Sequence, residues 1–242
     1  MAYVALDIGH GTNTKGKGVQ KDGRYYKEHD FNSRLSIVLR EILEDHGFKI
    51  TYGQEPHSPE VPLQQRTDYY NREGVDLVVS NHANASSNKD VEGVCAFYWH
   101  NADDSRRLAE LYVREAEKEG LSTHGNGLHP SEIGEWTNMH ICRETDMTAV
   151  LLENGFMTND KDFERIFKDP EYVTLIARIQ AKAICAFFNI KYKEPSSCDA
   201  PSNSLKEEWE KGIQLQITDG SNPQGTPTRE QVVAMIVRAT GK

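Results

Sequence analysis

The chain has 242 residues, enough for one sizeable domain with a continuous core and one small domain, and its 37% apolar and 27% charged composition is that of a folded globular protein. No window approaches the roughly 18 consecutive apolar residues that a membrane span needs, so no such span is expected. With 37 acidic against 28 basic side chains the formal charge is −9, which disfavours a protein that grips nucleic acid through a basic face.

In chain order, the first apolar run predicts a strand at 3–8. A helix follows, with Phe31, Leu35, Val38, Leu39, Ile42 and Leu43 recurring at three- and four-residue steps before Gly47 ends it. Further strands are predicted at 49–52, 77–80 and 94–99. A second helix over 104–119 carries Leu108, Leu111 and Tyr112 up to Gly120, and a polar stretch at 122–137 reads as an active-site loop. A strand at 149–153 and a broad apolar helix at 171–188 complete the series. Strands alternating with helices predict the α/β class: an open, mostly parallel twisted sheet flanked by helices. The Pro- and Ser-rich stretch after Glu194 reads as linker, which divides the chain into an α/β domain at 1–192, a linker at 193–204 and a small helical domain at 205–242.

The four cysteines, Cys95, Cys142, Cys185 and Cys198, lie far apart with no Cys-x-x-Cys pair, which speaks against both a thiolate zinc site and a disulfide framework. Three read as reduced core residues and Cys198 as a linker thiol. The N-terminus, Met1-Ala-Tyr-Val-Ala-Leu-Asp7, shows no cationic leader, so cytoplasmic synthesis without export by a signal peptide is expected.

Three apolar strands end in residues that can bind a metal or move a proton: Val4-Ala-Leu-Asp-Ile-Gly-His10-Gly, Leu77-Val-Val-Ser-Asn-His82-Ala-Asn and Val150-Leu-Leu-Glu153-Asn-Gly-Phe. The carboxyl ends of parallel strands face one crevice, so these side chains can meet despite their separation in sequence. Taken singly, His10 reads equally as a polar residue in a Gly-rich turn, and His82 as a satisfied histidine at the core edge. Glu28 stands at the start of the long helix, where a carboxylate also suits the helix dipole, as Asp30 does, and His29 is its nearest competitor as a ligand. Together, two imidazoles and one carboxylate with a fourth position open form a ligand set for catalytic zinc. Glu153 follows an apolar run, and a carboxylate buried there needs a cation, a hydrogen-bond donor or a proton.

These motifs resemble the type-3 family of zinc-dependent N-acetylmuramoyl-L-alanine amidases. The resemblance spans about residues 2–190. It rests on Asp7-Ile-Gly-His-Gly11, Glu28-His-Asp-Phe-Asn32, Ser80-Asn-His-Ala-Asn84 and Glu153-Asn-Gly-Phe-Met-Thr-Asn159, in the family's order, with Gln65-Arg66 and Gly93-Val between them. It implies Zn2+ on His10, Glu28 and His82, Glu153 as the catalytic carboxylate, and peptidoglycan as substrate. His29 departs from the basic residue that the family carries after the ligand glutamate. The 122–137 stretch, with His124, His129 and Trp136, and beyond it His140 and Arg143, is expected to line the substrate groove. Two other readings stand beside this one: a zinc peptidase that cuts within the stem peptide, and a non-catalytic wall-binding protein with a relic site.

In the last segment, Trp209, Thr218-Asp-Gly220 and Pro227-Thr-Arg-Glu230 resemble a single S-layer homology repeat. That resemblance implies a Gram-positive wall polymer as ligand. A unit so small buries little apolar surface alone, which points to homodimer formation or docking as its support. With no leader, the whole reads as a bacteriophage endolysin made in the host cytoplasm and acting on the wall after release, with a bacterial autolysin as the neighbouring reading.

Overall fold

β1 (Tyr3–Ile8) is buried along nearly its whole length, as an apolar run broken only by Asp7 requires of a central strand. The computed structural model describes residues 1–194 and, beyond them, residues 211, 212, 214, 215 and 217. After β1 the chain forms β2 (Gly18–Lys21) and β3 (Arg24–Lys27), then α1 (Glu28–Asp45), β4 (Lys49–Thr51), α2 (Leu63–Glu73), β5 (Leu77–Asn84) and β6 (Val94–Trp99). It continues through α3 (Asp103–Lys118), β7 (Thr123–Ser131), α4 (His140–Arg143), β8 (Thr148–Phe156), α5 (Asp160–Phe167) and α6 (Pro170–Phe187).

Six strands form one sheet in the order β4-β1-β5-β8-β6-β7, and β2 and β3 pair as a separate antiparallel hairpin. β4, β1, β5 and β8 run parallel, β6 runs antiparallel to β8, and β7 is parallel to β6. The sheet is therefore mostly parallel and flanked by helices, as the alternation of patterns predicts. α1, α3 and α6 cover one face, where Leu35, Leu39, Tyr112, Ile176 and Ile184 close the larger core cluster. α2 and α4 bear on the other face, over Tyr70, Val78, Phe97 and Leu151. Cys95, Cys142 and Cys185 are free and buried, as expected of core thiols.

The structure departs from the sequence-based expectation in three places. The 122–137 stretch is not one loop: its first part is the edge strand β7, whose Pro130 is tolerated because an edge strand need not donate on both sides. The hairpin β2–β3 and the helices α2, α4 and α5 are absent from the predicted series. The predicted strands at 77–80 and 149–153 extend to Asn84 and Phe156, so His82 is a strand residue rather than a loop residue and Glu153 lies within its strand rather than at its end.

The chain divides into two units, Met1–Tyr192 and Lys193–Lys242. Cys198, Trp209, Arg229 and most of the helices expected within 205–242 lie outside the described residues. Among those described, no helix is long and apolar enough to cross a membrane.

Candidate active site

The carboxyl ends of β1, β5 and β8 open into a cleft of about 480 Å³ lined by His10, Glu28, His82 and Glu153 together with Lys17, Leu63, His140 and Met157. Each of the four sequence-nominated residues reaches it by a different route. His10 follows β1 with φ at +60°, in the left-handed region that a non-glycine residue occupies only when its surroundings hold it there. Gln54, itself buried, supplies that hold by donating its amide to the Ile8 carbonyl (3.3 Å) and to the His10 carbonyl. Glu28 is the first residue of α1 and projects from the end of the hairpin that feeds the helix. His82 and Glu153 face each other in register across β5 and β8.

Glu28 joins the group. Its Oε2 lies 3.1 Å from His10 Nε2 and its Oε1 lies 2.9 Å from His82 Nδ1, while the two imidazoles meet edge to face at 5.0 Å. Oε1 also accepts from the Ala83 backbone N–H at 3.2 Å and from the Asn32 amide at 3.3 Å. Burial works to raise the Glu28 carboxyl, but hydrogen bonds and charge from both imidazoles outweigh it and hold the group well below the usual carboxylate range. One donor atom each from His10, Glu28 and His82 lies within 4.8 Å of the others, a spacing able to hold a metal ion.

His29, the competing ligand by sequence, is turned elsewhere: its Nδ1 meets the Gly9 carbonyl at 3.1 Å and its Nε2 the Ser33 hydroxyl at 3.2 Å. Asp30 is exposed. Gly9 matters by its smallness, since a Cβ there would sit 2.4 Å from His82 Cε1. The ring of His82 packs directly on that backbone.

Glu153 contrasts with Glu28. It is buried, its Oε2 has no hydrogen-bond partner, and burial together with the Glu28 charge pushes its carboxyl well above the usual range. A carboxyl group with an unpartnered oxygen, on a residue that lines a cleft shared with two imidazoles, is able to take up a proton.

Beneath these residues runs a support that the sequence reading did not assemble. Asp7 accepts from Arg66 and Ser80 at 2.5 Å each and from the Tyr70 hydroxyl at 2.9 Å, while Arg66 also donates to the Val61 carbonyl at 3.0 Å. Behind β5 and β8, Gln180 of α6 donates to Asn81 (2.8 Å) and Asn154 (3.0 Å), and Asn154 donates to the His82 carbonyl (3.0 Å). The backbones bearing His10 and His82 are thus fixed from below.

Within the predicted groove stretch, Trp136 is exposed, His140 lines the cleft and bonds Thr67 at 3.2 Å, and Arg143 pairs with Glu144 at 2.6 Å. His124 and His129 do not line the cleft. They lie against each other on β7, at 3.2 Å.

A family profile described as N-acetylmuramoyl-L-alanine amidase matches residues 4–186, which takes in all four of these positions. The chain belongs to that amidase family. Among its relatives is an N-acetylmuramoyl-L-alanine amidase, CwlM, of Bacillus licheniformis, 26% identical over 203 residues that cover 78% of this chain and 70% of the relative. A sporulation-specific N-acetylmuramoyl-L-alanine amidase of Bacillus subtilis is 26% identical over 79% of this chain and 70% of its own length. Among solved structures, the catalytic domain of the amidase CwlV from Bacillus (Paenibacillus) polymyxa superposes with a TM-score of 0.68 at 26% identity, covering 79% of this chain and all of that domain (100%). The amidase assignment identifies the chain as a hydrolase of the cell-wall-degrading kind, and the cleft on β1, β5 and β8 as the place to look for its chemistry.

Proposed function

We propose that this chain hydrolyses the amide bond between N-acetylmuramic acid and L-alanine in peptidoglycan, using Zn2+ held by His10, Glu28 and His82 with Glu153 as general base. The observation that carries the proposal is the meeting of those three donor groups beside a buried carboxylate whose Oε2 is unpartnered. The donor chemistry fits: two imidazoles and one carboxylate, with a coordination position left open, suit a borderline cation that must also meet water or substrate. Bound there, zinc supplies Lewis acidity and brings the pKa of water from 15.7 down to about 7.

The chain's own residues do the rest. Glu153 accepts a proton from the attacking water and returns it to the L-alanine nitrogen as the carbon–nitrogen bond breaks, because an amide nitrogen leaves poorly unless protonated. Its raised proton affinity suits that second transfer, since a carboxyl group of ordinary acidity would give up the proton to solvent at neutral pH. Glu28, held ionised between the imidazoles, stays a donor of charge rather than of protons. Asn154, through the His82 carbonyl, keeps the β5 end in place as the reaction proceeds.

The test is clearance of purified cell walls with and without a chelator, followed by zinc restoration and mass spectrometry of the fragments. The expected products are a free L-alanine amino terminus and an intact muramoyl glycan. A cut inside the stem peptide would select the peptidase reading instead, and full activity after complete metal removal would overturn the chemistry. Residues 205–242 are proposed to bind a Gram-positive wall polymer or a second copy of the chain, on the strength of their sequence resemblance.

A further inference from the structure

His82, Glu153 and Cys95 are register neighbours across three adjacent strands, since β8 pairs Glu153 with His82 of β5 on one side and with Cys95 of β6 on the other. Cys95 is thus one strand beyond the proposed base, fully buried. Opposite it the pairing of β6 with β7 is interrupted: Val94 pairs with Thr123 and Ala96 with Leu128, so residues 124–127 bulge out where a single partner for Cys95 would stand. Bulges of this kind re-aim side chains, and this one brings His124 back onto His129, Nδ1 to Nε2 at 3.2 Å.

The result is a closed group. One donor atom each from Cys95, His124 and His129 lies within 4.8 Å of the others. Aromatic rings wall it: Phe97 and Trp136 stand 5.1 and 5.6 Å from the His129 ring, and Phe156 stands 5.1 Å from that of His124. Two imidazole nitrogens bound to one tetrahedral zinc, at about 2.0–2.1 Å each, stand about 3.3 Å apart, close to the separation found here.

We propose that Cys95, His124 and His129 form a second metal site, distinct from the His10 group, that takes a thiophilic divalent cation, zinc first, through one thiolate and two neutral imidazoles. Zinc forms bonds to the Cys95 sulfur and the two ring nitrogens, the thiol proton leaves to solvent, and no electron changes hands. A sulfur donor discriminates against Mg2+, Ca2+ and Mn2+, which prefer all-oxygen surroundings. The wide spacing of the cysteines hides such a site from sequence, because its ligands come from an inner strand and a bulged edge strand rather than from a Cys-x-x-Cys turn.

The experiment measures zinc per full-length chain after removal of loosely bound ion, and the near-ultraviolet charge-transfer band of the Co2+-substituted protein, which only a thiolate ligand gives. Two zinc ions per chain and a cobalt–thiolate band are expected. His124→Ala and His129→Ala, at partly exposed positions where folding is less at risk than at Cys95, should each abolish the band and lower the zinc count to one. His82→Ala should also lower the count to one but keep the band, so failure of the first site and failure of the second are told apart. A wild-type band that is absent, that survives His124→Ala, or that disappears in Cys198→Ser would overturn the proposal.

Discussion

Asp7 and Glu153 are both carboxylates at the ends of inner parallel strands, both are buried, and they are treated oppositely. Asp7 receives hydrogen bonds from Arg66, Tyr70 and Ser80, and although burial works to raise its carboxyl, the Arg66 charge and these donors hold it below its ordinary value. Glu153 lacks such partners: one oxygen is unbonded, and burial with the Glu28 charge drives its carboxyl up. The floor under β1 is a polar network brought to completion, whereas the end of β8 is left incomplete. Completion there serves stability, and incompleteness here leaves a group free to react.

The contrast can be broken by exchanging the roles. Glu153→Gln keeps the shape and removes the exchangeable charge, so kcat/KM should fall about 10²–10⁴-fold, the usual weight of a general acid–base group, with metal content unchanged. Retained turnover, or lost metal, would place Glu153 on the wrong side of the comparison. Arg66→Ala strands Asp7 without its charge partner and should cost about 3–5 kcal/mol in urea denaturation. A cost under about 1 kcal/mol, the range of an exposed pair, would show the floor to be dispensable.

Smaller effects sharpen the boundary between the two regions. Gly9→Ala drives a methyl group into the His82 ring, and metal affinity should drop about 10–100-fold, as when a residue that orients a ligand is lost. Equilibrium dialysis measures it. The smallest effect is confined to acid. Because the folded pKa of Asp7 lies below its ordinary 3.8, its stabilisation is complete above that value and is lost as pH falls from there through the folded value. Unfolding free energy followed down the pH scale should show a drop there that is absent in Asp7→Asn.

How much of this was legible in sequence depended on apolar continuity. β1 and β6 were read with their observed ends because both are buried runs with sharp polar limits. Glu28 could be placed at the start of α1 because the heptad-like spacing from Phe31 onward fixes the helix. The β2–β3 hairpin went unread although Asp22-Gly23, both at positive φ, is a strong two-residue turn signal, since its strands Gly18-Val-Gln-Lys and Arg24-Tyr-Tyr-Lys carry too little apolar alternation. α2 was missed for a related reason: its buried face is Arg66, Thr67 and Tyr70, polar groups that look solvent-facing until Asp7 is seen to receive two of them. The convergence of His10, His82 and Glu153 followed from strand polarity alone, but Gln54 could not be found that way, because its task is set by a loop conformation that no periodicity encodes.

Of His10, Glu28, His82 and Glu153, only Glu28 is carried by a helix rather than on or after a strand of the sheet. An ion shared with His10 and His82 would therefore rivet two layers of the domain together as well as serve the reaction, and free cation at 100 times its dissociation constant would add about 2.7 kcal/mol to the folded state. Metal supply would then govern how long the enzyme survives heat and proteolysis in addition to how fast it works, and a chelated sample should begin to fray where the hairpin hands over to α1.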